Sequence, residues 1–228
     1  MSEPNAQPLP TDYDRDPERF RAGVRTVERY AAEGDVHGPV AERLHAERLD
    51  PVLDLGCGEG RLIDPLRTLG VRAVGFDTSP TMLAGVPDPR VRGEAASLPF
   101  DAGSFGSVAA LYMLYHFVNP KPVIAECRRV LRRGGLFVAC APSRCDHPEL
   151  RSVLPEGEPM TFDAENGPDM LRECFQDVEI ERWDGPHVHL PDREAAALYL
   201  YGHGLEKAEA DEAASKASTR WMSRSEAR

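Results

Sequence analysis

Three glycines at alternate positions, Gly56, Gly58 and Gly60, directly follow the run Val52-Leu53-Asp54-Leu55. The run reads as a strand buried on both faces, and the glycines as a tight turn from it into a helix beginning near Glu59. Glycine suits this place because it reaches positive φ without a Cβ penalty and lets a ligand approach the backbone closely. The amides of the turn then point at whatever sits above the strand end, which is where open α/β sheets bind ligands. Two carboxylates attend the turn. Asp54 lies within the strand, and Asp77 ends the next apolar run, 17 residues after Gly60. Asp77 has two readings: acceptor for both hydroxyls of a ribose, at roughly 1.5–3 kcal/mol per bond to a charged acceptor, or cap of a helix starting beside Ser79. A dinucleotide-binding turn would carry its third glycine where Arg61 stands, so the spacing opposes a nicotinamide oxidoreductase.

The elements that must position these residues follow from periodicity. From Asp16-Pro17 to about residue 32, Phe20, Val24, Val27 and Tyr30 recur at three- and four-residue spacing, which predicts an amphipathic helix capped by Asp16 and ended by Gly34. A second helix is predicted over 36–48, with Val40 and Leu44 inward. Strands are predicted at 52–55, 71–76, around Val91, at 106–111 and at 136–141. Helices alternate with them over 60–69, 80–84 and 120–131, the last broken by Gly134-Gly135. Such alternation implies parallel strands with right-handed crossovers and helices on both faces. Residues 142–162 read as an irregular excursion, 163–174 as a helix, 178–183 as a strand, and 192–201 and 205–217 as helices. The expected organisation is a flexible arm over 1–15, a helical lid over 16–48, a core over 49–190 and C-terminal helices with a tail over 191–228.

Four further stretches carry a resemblance. Gly93-Glu94-Ala95-Ala96-Ser97-Leu98-Pro99-Phe100 is similar to G-D-A-x-x-L-P-F, and Asp101 to Val108 to D-x-S-F-D-x-V, with Gly106 where the pattern has its second aspartate. Leu111 to Phe117 matches the segment after the fourth strand, and Glu126 to Gly135 matches E-x-x-R-V-L-R-P-G-G with Arg133 replacing proline. With the glycine turn, these resemble the class I methyltransferases that use S-adenosylmethionine, in the type 11 group that includes ubiquinone and menaquinone biosynthesis enzymes. The resemblance covers residues 50 to about 141.

It implies a Rossmann-like α/β fold, a mostly parallel sheet flanked by helices, and in-line transfer of a sulfonium methyl. Asp54, Gly56, Cys57, Gly58 and Gly60 would hold the methionine end, and Asp77 with Thr78 the ribose. Glu94, Ala95 and Leu98 would hold the adenine edge, with Met82 on the adenine face or in the core, and Leu111 would line the donor pocket. His116 is the candidate base for an acceptor hydroxyl, and Tyr30, His37 and Tyr115 are candidates for the acceptor pocket. The E-x-x-R stretch is read as fixing the turn into the fifth strand, and Gly106 as loosening the loop before the fourth. Such folds normally close with a last antiparallel strand, which residues 187–190 or the tail would have to supply. His187 and His189 could suggest a metal pair, but no carboxylate or thiol completes a ligand set, so no metal is expected.

Composition narrows the partners. A net charge of −11, from 27 Lys and Arg against 38 Asp and Glu, argues against nucleic acid, which asks for a basic stripe. No run approaches a membrane span, and no leader pattern opens the chain. Five cysteines without C-x-x-C spacing read as reduced thiols of a cytoplasmic protein. The expected partner is a small-molecule methyl acceptor, the expected state a monomer or homodimer. The rival reading is a donor-binding protein without catalysis, a regulator or assembly subunit, which turnover with phenols and amines would separate.

Overall fold

The structure is a computed structural model; it describes residues 8, 13–31, 35–146, 150, 153–154, 160–182 and 188–225, with side chains as far as residue 216. Two compact units divide it: residues 1–14, 36–146 and 159–182 form the first, and 15–35, 147–158 and 183–228 the second.

The first unit is built on five parallel strands in the order β3-β2-β1-β4-β5. They are β1 (Val52–Leu55), β2 (Ala73–Asp77), β3 (Arg90–Arg92), β4 (Phe105–Leu111) and β5 (Leu131–Cys140). Every residue of β1 and β4 is buried. These are the continuous apolar runs that a sheet covered on both faces requires. Side chains alternate between the faces. Leu53, Leu55, Val108 and Ala110 pack into one cluster with α5 (Lys121–Val130) and α6 (Gly167–Cys174). Val52, Ala109 and Leu111 pack into another with α2 (His37–Glu47), α3 (Ile63–Thr68) and Leu83 of the short α4 (Pro80–Leu83). The chain winds outward from β1 to β3, then returns to β4 on the other side of β1. The β1/β4 boundary is therefore a topological switch point, with the glycine turn at its mouth.

Four expectations are corrected. The helix after the glycine turn starts at Ile63, not near Glu59, because Gly56, Gly58 and Gly60 stand at φ of 70°, 53° and 86°, which no right-handed helix accommodates. Gly134-Gly135 does not break the preceding helix. That helix ends at Val130, Leu131 is already extended, and the glycines form part of β5 opposite a register shift between Phe105 and Ser107. Gly106 is not a loosening: a Cβ there would stand 2.2 Å from the Leu49 carbonyl oxygen, and its amide donates to the Pro51 carbonyl. Only glycine lets these two backbones approach so closely. Finally, residues 178–182 form no strand, and Val188 makes a single antiparallel bridge to Ala31. Among the described residues the sheet has no antiparallel strand, and the tail is helical. Gly34, Trp183 and His187, and with it the proposed histidine pair, lie outside the described residues.

The second unit packs α1 (Pro17–Tyr30), α7 (Arg193–Gly202) and α8 (Lys207–Ser225) around Ala22, Ala196, Leu200, Ala210 and Ala214. Asp16 caps α1 as its sequence predicts, accepting from the Arg19 amide at 3.3 Å, with Pro17 at the first helical position. The buried face is rotated from the expected stripe. Ala22 and Thr26 are fully buried, whereas Phe20, Val24, Val27 and Tyr30 are half-buried. Small residues decide this: Gly23 lies against Gly202 of α7, where a Cβ on Gly202 would stand 2.6 Å from the Gly23 backbone. Thr26 fits the close face because its hydroxyl donates to the Ala22 carbonyl at 2.8 Å. Among the described residues no helix is long and apolar enough to cross a membrane.

Candidate functional site

The glycine turn is anchored to the neighbouring strand before any ligand is considered. The amides of Gly56 and Cys57 both donate to the Phe76 carbonyl, at 2.8 and 3.1 Å. Asp77 then joins the two loops, accepting from the Gly58 amide on one oxygen and the Ser79 amide on the other, both at 2.9 Å. A carboxylate offers about four lone-pair sites, so the capping role is met with acceptor capacity left over. The cradle is shaped by absent side chains: a Cβ on Gly56 would fall 2.8 Å from that of Met113.

Beneath the turn, Asp54 is buried, and its Oδ2 has no hydrogen-bond partner among the described residues. Burial, with the charge of Asp77 adding to it, pushes its carboxyl up to about 8. A buried carboxylate without a donor costs several kcal/mol, so it holds its proton until a cation or donor reaches it. Burial likewise pushes the Cys57 thiol above its ordinary range, which leaves it a packing group rather than a nucleophile.

On the β2–β3 side, the Thr78 hydroxyl donates to Glu94 Oε1 at 3.3 Å, joining two predicted site residues. Glu94 is exposed, while Ala95, Leu98 and Met82 are buried. The following loop is held by a pair whose sequence match reads only as a turn into β5. Glu126 accepts from the Leu98 amide at 2.8 Å. Arg129 bonds both oxygens of Glu126 and donates to the carbonyls of Leu98 and Phe100 at 2.9 and 2.7 Å. The bidentate ion pair clamps the loop beside Glu94. The i,i+3 spacing signals the pair, but only the fold brings the loop to it.

On the β4 side, Leu111 is buried at the strand end, and Tyr112 is exposed with φ of 55°. A short 3₁₀ turn, Leu114–His116, follows. His116 is half-buried, and burial lowers its imidazole to about 4, so the ring is neutral near pH 7. Its Nε2 lies 2.9 Å from the Tyr13 hydroxyl. The Tyr115 ring is 4.5 Å from that of His116, and burial pushes its phenol above the usual range. Asp14, next to Tyr13, accepts from the Ser79 hydroxyl at 2.5 Å and the Thr81 amide at 3.2 Å. Neither Tyr13 nor Asp14 is legible as a site residue, because a proline-rich arm has no periodicity to place them.

The other two predicted pocket residues are not joined to this group by these bonds. His37 opens α2 and is half-buried. Tyr30 ends α1 in the second unit, where its carbonyl accepts from the His189 amide at 3.0 Å and Arg29 lies over its ring.

The methyltransferase-domain family of type 11 matches residues 53–139, the segment from β1 to β5. The match to this methyltransferase domain covers less than half of the chain. A probable S-adenosylmethionine-dependent methyltransferase of Mycolicibacterium smegmatis is 34% identical over 131 residues, 54% of this chain and 51% of that protein. A demethylmenaquinone methyltransferase of Mycolicibacterium gilvum is 36% identical over 102 residues, 43% of this chain and 45% of the relative. The chain thus matches about half the length of these relatives. A crystal structure of a Thermotoga maritima protein, described as a possible histamine N-methyltransferase, superposes with a TM-score of 0.54 at 20% identity, covering 71% of this chain and 78% of that one, a likeness of fold. Asp54, the glycine turn, Asp77, Glu94, Leu111, His116 and the Glu126–Arg129 clamp all fall within the matched segment, whereas Tyr13, Asp14, Tyr30 and His37 lie before it.

Proposed function

We propose that this chain is a methyltransferase that binds S-adenosylmethionine and passes its methyl group to a small-molecule acceptor. One observation carries the reading: a buried carboxylate oxygen on Asp54, without a partner among the described residues, beneath a turn of three positive-φ glycines. That combination suits an amino-acid ammonium beside a closely approached backbone, and the methionine end of the donor supplies both. When bound, the donor brings a methyl already activated on a sulfonium.

In this reading the residues align and shield rather than activate. Asp54 and the turn of Gly56, Cys57, Gly58 and Gly60 hold the methionine end, and Asp77 with Thr78 the ribose. Glu94, Ala95 and Leu98 border the adenine, with Met82 packed beneath it and Leu111 walling the donor pocket. His116 receives the acceptor's proton, and Tyr115 and His37 line the acceptor side. No metal takes part. The relatives named for demethylmenaquinone and ubiquinone biosynthesis favour a small, cyclic acceptor. The acidic charge favours it over nucleic acid. A monomer or homodimer in the cytoplasm completes the proposal.

Two measurements test it together: calorimetric titration with S-adenosylhomocysteine, and methyl transfer from labelled S-adenosylmethionine to a panel of demethylated quinols, phenols and amines. Micromolar binding with turnover of at least one acceptor is expected. Binding without any turnover would favour the non-catalytic reading.

A further inference from the structure

Three contacts of the N-terminal segment span the mouth of the candidate site. Pro8 forms an isolated antiparallel bridge with Phe117, just after the 3₁₀ turn that follows β4. Tyr13 bonds His116 in that turn. Asp14 bonds Ser79 and Thr81 at the start of α4, directly after β2. In the sheet, β1 lies between β2 and β4. A segment tied to the loops after β4 and after β2 therefore crosses the end of β1, where the glycine turn stands.

The contacts differ in kind. The two bonds from Ser79 and Thr81, Ser79 being itself buried, hold the Asp14 carboxyl below the usual carboxylate range, so it stays ionised. Charge-assisted bonds of this type are the stronger ones. The Tyr13 bond instead sets a proton position. The ring of His116 is neutral, a phenol donates better than it accepts, and the bare imidazole nitrogen is a strong acceptor. The hydroxyl of Tyr13 therefore donates to Nε2, and the imidazole proton sits on Nδ1.

We propose that Tyr13 and Asp14 form a positioning strap over the donor site, Asp14 anchoring it beside β2 and Tyr13 fixing the orientation and Nδ1–H tautomer of His116. The strap rests on the reading of the site as a donor pocket, but its tautomer claim does not. It also assigns His116 a consequence: Nε2 is occupied while the strap is closed, so the ring takes up an acceptor's proton through that nitrogen only by way of the Tyr13 hydroxyl or after the strap opens.

The full chain, labelled with ¹⁵N-histidine, tests the tautomer without any ligand, His116→Gln identifying the signal. The Nδ1–H pattern is expected in the native protein. In Tyr13→Phe, which keeps the ring but not the hydroxyl, a mixture of both tautomers is expected. Identical His116 signals in the two proteins overturn the positioning role, and so does an Nε2–H pattern in the native one. Stopped-flow release of S-adenosylhomocysteine tests the strap. Tyr13→Phe combined with Asp14→Asn is expected to release it roughly five- to tenfold faster, with a circular dichroism spectrum unchanged. An unaltered release rate overturns the strap. If the native chain binds no S-adenosylhomocysteine, the donor reading fails by itself and the histidine signals still decide the contact.

Discussion

Asp54 and Asp77 are both acidic residues at the mouth of one turn, yet the fold treats them oppositely. Asp77 has a backbone amide on each oxygen, while Asp54 has an oxygen with none among the described residues. An acid whose folded pKa is raised, here to about 8, binds its proton more tightly folded than unfolded. Its contribution to stability is therefore full below the unfolded carboxylate range and is lost as pH rises through about 8. Urea unfolding at pH 5, 6.5 and 8 should show stability falling with pH, and Asp54→Asn should flatten that fall. Parallel profiles would remove Asp54 as its source. Asp77→Ala should weaken S-adenosylhomocysteine by about 2–4 kcal/mol, through the lost acceptors and the loosened turn together. Calorimetry on the folded variant checks this, and undiminished affinity would place the ribose elsewhere. For Glu94, already bonded by Thr78, removal to Ala should cost about 1–2 kcal/mol of binding, whereas Glu94→Asp should leave binding intact. Equal affinity of all three forms would take Glu94 out of the site.

At the scale of elements, glycines mark where backbones meet, and the partner decides what each tolerates. Gly23 and Gly202 face each other across α1 and α7, but asymmetrically. A Cβ on Gly23 finds its nearest atom at 3.7 Å, while one on Gly202 finds backbone at 2.6 Å. Gly23→Ala should thus stabilise by up to about 1 kcal/mol through helix propensity. Gly202→Ala should destabilise by about 1–3 kcal/mol through overpacking. Chemical denaturation of both variants tests the pair, and effects of the same sign would refute the crossing geometry. The Glu126–Arg129 clamp makes a related point, since a short motif on α5 organises a loop some 28 residues earlier in the chain.

For the whole molecule, the two units keep separate apolar cores. Saturating S-adenosylhomocysteine, worth about 2.7 kcal/mol at a hundredfold excess over Kd, is expected to raise the melting midpoint seen by circular dichroism. An unshifted midpoint would mean that the folded chain does not hold the donor product.

The sequence by itself determined the βα alternation, the glycine turn, the cap at Asp16, and the carboxylate at the end of β2. All of these are local: periodicity, positive φ and capping are decided by residues within a few positions of each other. Tertiary structure decided what depends on distant partners. Gly106 is required by the Leu49 carbonyl, and the buried face of α1 is turned by α7. Gly134-Gly135 lies in β5 where the register with β4 shifts between paired Leu131 and Leu136, and Tyr13 meets His116 across 103 residues. None of these leaves a periodic trace along the chain, because the atom that constrains each residue belongs to an element far away in sequence.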